Sequence, residues 1–423
     1  MSSEHHPNPA DPGAGETRET RKAGGAGESG GALEAASLGV HGTHLGADRR
    51  GPVVDPIFQS ATFFGGRGES GHDLLYTRYG NNPNQLAVAA KMAALEGTEA
   101  GLALSSGMAA LAMTLLSLTE AGDHVVASRH LYGATHALLA TEMPRRGVET
   151  TFIEPAGEES WVEAAEPTTR LLLMEVVTNP LMRVFDPRPA ARAAARLGVP
   201  LLADLTFACP VNLRGVDVGV DLCMHSATKY LGGHSDLIAG VVSGPADLVA
   251  GVQDAMKLYG PAIDPHSAWL LDRGLKTLVP RVEAHNRNAM ELAAWLEGQP
   301  GVAGVAYPGL PSHPDHALAV DLLAGFGGML GLELEGGAPS ADAFCSALEV
   351  ACFAPSLGGV ETLVSQPRLT SHVGFTAAER EALGIGDGYV RISVGIEGVN
   401  DLKADFARGL AAARNAVGQG TGP

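Results

Sequence analysis

Between about residues 100 and 245, short apolar runs alternate with segments whose apolar residues recur at helical spacing. In one such segment, Met108, Leu111 and Leu115 predict the buried stripe of a helix. The run 171–177 is typical of a central parallel strand that is covered on both faces. The pattern predicts strands at 100–104, 124–127, 151–153, 171–177, 200–203, 222–225 and 239–243, and further helices at 85–96, 134–141 and 187–197.

The alternation predicts an α/β fold with a mostly parallel sheet of roughly seven strands and helices on both faces. Only about a dozen residues separate the last two strands, too few for a helical crossover, so we expect that pair to be antiparallel. Ligands of such sheets bind at the carboxyl ends of the strands.

Beyond about residue 255 the pattern changes to that of a smaller α+β domain. It predicts a helical region at 265–297, strands at 329–334 and 389–394, and helices at 341–349 and 402–413. Residues 1–36 contain almost no large apolar residue and are expected to be disordered. The predicted organisation is therefore a disordered tail (1–36), an N-terminal arm (37–95) with an extended stretch at 52–64, a large domain (96–280) and a C-terminal domain (281–423).

The composition narrows the choice of partners and compartment. The chain has 423 residues and a formal net charge of −18, which argues against nucleic acid or an anionic membrane as a partner. No uncharged run approaches about 18 residues, so nothing is expected to span a membrane. The first 36 residues lack the apolar segment of a signal peptide. The four cysteines form no metal-like pattern, so we expect free thiols, no metal and a cytoplasmic location.

A lysine stands just beyond the predicted strand at 222–225, within the sequence HSATKY (225–230). A lysine buried at such a place is costly unless it is neutral or used covalently. A desolvated amine can attack an aldehyde to form a Schiff base, and the hydroxyls of Ser226 and Thr228 could hold that aldehyde's phosphate. On its own, Lys229 could equally be a solvated loop residue.

Other positions carry candidate chemistry, and each has a structural alternative. Gly107 and Met108 begin a helix directly after a strand. The free N–H groups at such a place could bind an anion, or the preceding serine could simply cap the helix. Asp204 ends a strand and could pair with a protonated pyridine nitrogen or cap a turn. Tyr132 could stack on a flat ring and donate a proton, or pack in the core. Arg391 could bind a carboxylate or face solvent.

Eight motifs in order make a more specific pattern than any one of them. They are YTRYGNNPN (76–84), SSGMAA (105–110), LYGATHALL (131–139), ADLTFACP (203–210), HSATKYLGGHSD (225–236), DRGLKTL (272–278), SLGGVETL (356–363) and VRISVGIE (390–397). Over about residues 37–415 the chain resembles the Cys/Met-metabolism family of pyridoxal 5′-phosphate (PLP) enzymes. That family includes cystathionine γ-synthase, cystathionine γ-lyase, cystathionine β-lyase and methionine γ-lyase.

The resemblance implies the fold-type I architecture, PLP as cofactor, an amino-acid substrate and a homotetramer built from two active dimers. It implies that Lys229 forms the Schiff base and later moves protons, that Asp204 faces the pyridine nitrogen, and that Tyr132 stacks on the ring. It further assigns the phosphate to Gly107, Met108, Ser226 and Thr228, helped by Tyr76 and Arg78 of the neighbouring subunit, the ring oxygen to Asn179, and the substrate carboxylate to Arg391 and Ser356.

Three departures from the family's pattern bear on function. Leu205 stands where an asparagine commonly follows the cofactor aspartate. Ala134 stands where methionine γ-lyases often have cysteine, and Pro355 where cystathionine γ-lyases often have glutamate. The last two leave the identity of the substrate open.

The resemblance therefore implies a carbon–sulfur lyase that acts by γ-elimination on an amino acid of the cystathionine, methionine or homocysteine type. The alternative is a γ-replacement enzyme of the cystathionine γ-synthase or O-acylhomoserine sulfhydrylase type, which uses the same catalytic residues. A non-catalytic PLP-binding protein is a third hypothesis, against which the intact Lys229, Asp204, Tyr132 and Arg391 argue.

Overall fold

The computed structural model describes residues 33–42, 52–65, 74–371, 373–374 and 376–419. The predicted disordered tail lies outside these ranges except for residues 33–36, and the first helix already begins at Ala35. Residues 52–65 contain no helix, as expected of an extended arm. The described residues from Ala35 onwards form one compact unit, and the predicted boundary near residue 280 stays a prediction.

A seven-stranded, mostly parallel sheet forms the larger part of this unit, in the order β1-β7-β6-β5-β4-β2-β3. Strands β2 to β6 pair in parallel, whereas β7 is antiparallel to both β1 and β6, which confirms the expectation for the last two strands. The strands are β1 (Ala100–Leu104), β2 (His124–Ser128), β3 (Glu149–Ile153), β4 (Thr169–Glu175), β5 (Leu201–Asp204), β6 (Leu222–Ser226) and β7 (Gly240–Gly244).

Helices surround this sheet, and four of them, at 35–41, 158–163, 209–212 and 246–259, were not predicted from the sequence. The longest of the four, Ala246–Tyr259, buries Val249, Val252 and Met256. The predicted helix at 134–141 is a short α-helix that continues as a π-helical turn, Leu138–Glu142. The helices are α1 (Ala35–His41), α2 (Pro83–Glu96), α3 (Gly107–Leu118), α4 (Gly133–Ala137), α5 (Glu158–Glu163), α6 (Pro187–Leu197), α7 (Cys209–Asn212), α8 (Ala246–Tyr259), α9 (Pro265–Leu275) and α10 (Leu278–Leu296).

The middle of the sheet is buried on both faces. In β4, Leu172 and Met174 belong to one core cluster and Leu171 and Leu173 to another, so successive side chains pack against helices on opposite faces. This arrangement explains why the strand is apolar without alternation, as the sequence indicated. The two apolar layers fix the carboxyl ends of β4, β5 and β6 at one edge.

A second sheet of five strands, in the order β10-β11-β12-β9-β8, belongs to the C-terminal part. Its core includes Phe344 and Phe406, whose rings meet edge to face at 5.5 Å. The helix predicted at 341–349 runs over Gly337–Ser346, so it begins and ends a few residues earlier than predicted. The elements are β8 (Val302–Ala306), α11 (His316–Leu322), β9 (Met329–Leu334), α12 (Gly337–Ser346), β10 (Cys352–Phe353), β11 (Leu363–Ser365), α13 (Ala377–Ala382), β12 (Tyr389–Ser393) and α14 (Val399–Gln419).

Two further expectations from the sequence concern the cysteines and membrane-spanning segments. All four cysteines are unpaired thiols, two of them buried in the core. Within the described ranges, none of the helices combines the length and apolar content that crossing a bilayer requires.

Candidate active site

A cavity of about 630 Å³ opens where β4, β5 and β6 end, and residues of the C-terminal part, among them Arg391 of β12, line its other side. It brings together all but two of the site residues predicted from the sequence; Tyr76 and Arg78 are not among its lining residues. The predicted residues that line it are Gly107, Met108, Tyr132, Asn179, Asp204, Ser226, Thr228, Lys229, Ser356 and Arg391.

Lys229 projects its amine into this cavity from the turn that follows β6. The backbone N–H of Lys229 donates to the carbonyl of Ser226 at 3.1 Å, which closes the turn. Its Nζ atom donates to Oγ of Ser356 at 2.9 Å. Burial, with a smaller contribution from the positive charge of Arg391, lowers the pKa of this amine to about 8. A sizeable fraction of the amine is therefore neutral, and nucleophilic, near neutral pH.

The first turn of α3 supplies a site for an anion beside Lys229. Ser106 caps this helix by accepting the N–H of Ala109 at 3.0 Å, so the cap proposed as the structural alternative is also present. A Cβ on Gly107 would lie 2.8 Å from Cβ of Ser226, so only glycine lets the helix approach β6 this closely. The N–H groups that open a helix lack partners within it, and Gly107 and Met108 line the same cavity as Ser226 and Thr228.

Two carboxyl groups stand side by side at the ends of β4 and β5. Glu175 and Asp204 are register partners on these parallel strands and both line the cavity. Burial raises the pKa of Asp204, and its bond from the N–H of Thr206 at 2.9 Å opposes that rise. Burial and the negative charge of Asp204 together hold the pKa of Glu175 well above its usual range. Of the two carboxyls, Glu175 therefore holds a proton more readily, because its pKa is raised by the charge of Asp204 as well as by burial.

Glu175 is a site residue that the sequence analysis missed. Its carboxyl accepts the backbone N–H of Tyr132, the residue that directly precedes α4. The signal was available, because a glutamate interrupts the apolar run 171–177 at the strand end next to Asp204. Tyr132 itself is 44% exposed and lines the cavity, so it is not the core residue that was its alternative.

Arg391 comes from β12 of the second sheet and reaches across to the first. It donates to Oδ1 of Asn179 at 3.1 Å and to the carbonyl of Ser356 at 2.8 Å. No partner for its Nε atom lies in the part of the chain that the structure describes. Ser356 has a φ of 90°, a region that costs a residue with a side chain of order 1–3 kcal/mol, and this places its hydroxyl at Lys229 and its carbonyl at Arg391.

Tyr76 and Arg78 lie away from the cavity of their own chain. Arg78 donates to the carbonyl of Lys257. Its guanidinium also lies over the ring of Tyr76 at 5.5 Å and over that of Tyr79 at 5.1 Å from the centroid. This cluster is partly exposed, so the charge of Arg78 is accessible from outside the chain.

The groups lining the cavity fit a phosphorylated pyridine aldehyde. A partly neutral amine, an anion site at a helix terminus, a carboxylate and an exposed aromatic ring converge on one space. The amine suits the aldehyde and the anion site suits the phosphate. The carboxylate suits a pyridinium N–H, and the aromatic ring suits the flat face of the pyridine. The missing side chain at Gly107 is what leaves room for a phosphate to approach the backbone.

Fold and cavity together define a PLP-dependent enzyme of fold type I. The family model for the Cys/Met metabolism PLP-dependent enzymes matches residues 36–411. The chain belongs to this family. Its relatives carry the names of lyases and of synthases, and the enzyme is accordingly a PLP-dependent trans-sulfuration enzyme that acts on an amino acid.

Three similar proteins illustrate that range. Cystathionine gamma-lyase of Bacillus subtilis (strain 168) is 39% identical over 375 residues, which cover 88% of this chain and 98% of that protein. L-methionine gamma-lyase of Porphyromonas gingivalis is 39% identical over 389 residues, 89% of this chain and 96% of that one. The crystal structure of cystathionine gamma synthase from Xanthomonas oryzae pv. oryzae in complex with aminoacrylate and cysteine superposes with a TM-score of 0.85 at 35% identity, covering 91% and 99% of the two chains.

Proposed function

We propose that this enzyme cleaves the carbon–sulfur bond of a sulfur-containing amino acid by γ-elimination. The observation that carries the proposal is the amine of Lys229, whose pKa of about 8 suits proton transfer near neutral pH. Relatives named cystathionine gamma-lyase and L-methionine gamma-lyase support a substrate of the cystathionine, methionine or homocysteine type.

The residues of this chain divide the work of such a reaction. Bound PLP withdraws electrons from the α-carbon of the substrate. The Nζ atom of Lys229 would take a proton from the α-carbon, release it, and only then take a second proton from the β-carbon, while the hydroxyl of Tyr132 would give a proton to the departing sulfur. Asp204 would accept the N–H of the pyridine ring and favour its protonated form, and Asn179 would hold the ring through its phenolic oxygen.

The substrate is held by the C-terminal sheet. The guanidinium of Arg391 binds the substrate carboxylate, with help from Ser356. Because Ser356 also accepts a hydrogen bond from Nζ of Lys229, the residue that holds the carboxylate stands beside the base that acts on the neighbouring carbon. This juxtaposition supports a binding pose in which the α-carbon lies within reach of the amine.

γ-Replacement is the second candidate function, favoured by the similarity to the synthase from Xanthomonas oryzae pv. oryzae. A replacement enzyme needs the same base, acid and carboxylate-binding arginine. Purified enzyme should be offered methionine, cystathionine, homocysteine, cysteine and O-acylhomoserines, the last with and without a thiol. Keto acid from a thioether supports elimination; thioether formed only from an O-acylhomoserine and a thiol contradicts it and establishes replacement.

We further propose that the enzyme assembles as a homo-oligomer, a tetramer of two active dimers. Tyr76 and Arg78 precede the sheet domain and stand outside the cavity of their own chain, where a partner's phosphate site can reach them. On the arm that precedes them, Val53 and Phe64 are almost fully exposed apolar side chains, which an interface would cover. The compartment proposed is the cytoplasm, where unpaired thiols persist.

A further inference from the structure

A tyrosine of the C-terminal sheet contacts the loop that carries Asn179. Tyr389 lies two residues before Arg391 on β12, so both side chains project from the same face of the strand. Its buried hydroxyl donates to the carbonyl of Pro180 at 2.8 Å. The preceding residue, Asn179, accepts a hydrogen bond from Arg391 through its Oδ1 atom at 3.1 Å. Two bonds from one strand thus hold adjacent residues of the loop.

Gly331 provides the space that this tyrosine needs. It is the register partner of Arg391 on the neighbouring strand β9, two pairs along from Tyr389 and Glu333. A Cβ on Gly331 would lie 1.7 Å from Oη of Tyr389 and 2.4 Å from its Cζ. Any side chain at position 331 would therefore displace the phenol from the site where it meets the loop.

The loop itself is short and is closed at its base. Val177 and Val184 form an isolated bridge, and the N–H of Thr178 donates to the carbonyl of Arg183 at 3.0 Å. Asn179 lies beyond this closure. Because its amide oxygen accepts from Arg391, its NH₂ group is the part left to donate into the cavity. A small rotation of the loop would misdirect both ends of that amide.

We infer that Tyr389 is a positioning residue that holds the loop of Asn179 against Arg391 and so fixes the guanidinium that binds the substrate carboxylate. The inference rests on the proposed role of Arg391. Tyr389 is not among the residues that line the cavity, so the inferred role is indirect. Its hydroxyl acts through Pro180 and Asn179 on the orientation of the arginine.

The test compares two tyrosines whose hydroxyls donate to backbone carbonyls in different parts of the molecule. Tyr307 is also buried in the C-terminal part and does not line the cavity; its hydroxyl donates to the backbone carbonyl of Gly327 at 2.9 Å, with that of Asn286 further off at 3.4 Å. Tyr389→Phe and Tyr307→Phe each remove one buried hydroxyl. Both should lower the Tm of the holoenzyme by a similar amount, because each loses one hydrogen bond of the same kind.

Only Tyr389→Phe should alter the site. Deuterium exchange of the amides at 177–184 in the substrate-free holoenzyme should rise severalfold in Tyr389→Phe and stay unchanged in Tyr307→Phe. The affinity for the best substrate of the panel should fall about threefold to tenfold, the ratio that corresponds to one net hydrogen bond. The affinity for the matching amine, which is the same substrate without its carboxylate, should not change. Gly331→Ala should give the same changes in exchange and in affinity, although Tyr389 itself is not replaced.

Each outcome decides between the alternatives. Unchanged exchange at 177–184, or equal losses of affinity for the amino acid and for its amine, would overturn the positioning role. Arg391→Ala separates this failure from a failure of the proposed function. If Arg391→Ala weakens the binding of the amino acid but not that of the amine, whereas Tyr389→Phe changes neither, the carboxylate site stands and only the inference falls. If Arg391→Ala also changes neither, the proposed role of Arg391 is wrong.

Discussion

At the level of single residues, Lys229 makes the loading of the site depend on pH. The amine must be neutral to attack an aldehyde, and its pKa of about 8 lies below the value of about 10.4 for an exposed lysine. Raising the pH through 8 deprotonates it, so the rate at which apoenzyme acquires the visible absorption of bound PLP should rise and reach half its maximum near pH 8. Stopped-flow absorbance between about pH 6 and 10 measures this.

Two controls sharpen that measurement. Lys229→Ala should show no such band and nearly no turnover, since no other lysine lines the cavity among the described residues. A midpoint close to 10 would mean that water hydrates the amine in solution and that burial does not tune it. A band that survives in Lys229→Ala would remove the assignment altogether.

Tyr132 can be tested as an acid separately from its role as a ring. Tyr132→Phe keeps the aromatic face in the cavity and removes only the hydroxyl, so cofactor binding should persist while turnover of a thioether falls roughly 10²–10⁴-fold. An O-acyl ester leaves well without protonation, so its turnover should fall less. Steady-state rates on both substrates decide the matter, because an equal loss would show that the hydroxyl only positions the ring.

Glu175 gives the opposite kind of prediction, because a conservative change should be tolerated. Glu175→Gln keeps a neutral group and an acceptor for the N–H of Tyr132, so PLP affinity and turnover should stay close to those of the parent. Glu175→Ala leaves that N–H without its acceptor, at a cost of about 1–3 kcal/mol, and should weaken both. Fluorescence titration with PLP and steady-state assays provide the numbers. A Gln variant as impaired as the Ala variant would mean that Glu175 acts as an anion.

At the scale of secondary-structure elements, the anion site depends on how closely α3 approaches β6. Gly107→Ala would place a methyl group 2.8 Å from Cβ of Ser226, so the helix must move away and its free N–H groups with it. We expect at least a tenfold loss of PLP affinity, since several bonds to one phosphate weaken together. Free phosphate should compete with PLP less well in the variant. An unchanged affinity would place the phosphate elsewhere.

The sequence predicted the elements that have a strong periodic pattern and missed those whose pattern is weak. All seven strands of the larger sheet were predicted within a few residues, and the central ones have the clearest signal, because both of their faces are buried and their runs are apolar. Helix α8 was missed although Val249, Val252 and Met256 recur at helical spacing, because polar and small residues separate them. Helix α12 begins with glycines that ordinarily argue against a helix, so its start was placed too late.

The same limit applies to the site. Residues in motifs at strand and helix ends were predicted, since the fold brings those ends to one edge. Glu175 escaped because a glutamate within an apolar run has no motif around it. Tyr389 and Gly331 escaped because their contact joins residues that are far apart in sequence, and nothing in either segment indicates the other.

For the whole molecule, the prediction concerns the number of chains that one site needs. If Arg78 serves the partner's cavity, Arg78→Ala and Lys229→Ala chains are each inactive but complement each other. A hybrid dimer then has one intact cavity, so random mixing should restore about a quarter of the parental activity. Subunit exchange must be verified by mass spectrometry. No recovery after verified exchange would mean that each cavity is built from a single chain.

The cavity is bounded by two sheets that are separate in sequence, and this division has an evolutionary consequence. Every group proposed to hold PLP within the chain lies in or beside the larger sheet, whereas Arg391 and Ser356 come from the C-terminal part. Substitutions around β11 and β12 can therefore change which amino acid is accepted while leaving the inherited chemistry of the cofactor intact. Lineages of such enzymes can exchange one sulfur substrate for another in small steps, without passing through an inactive ancestor.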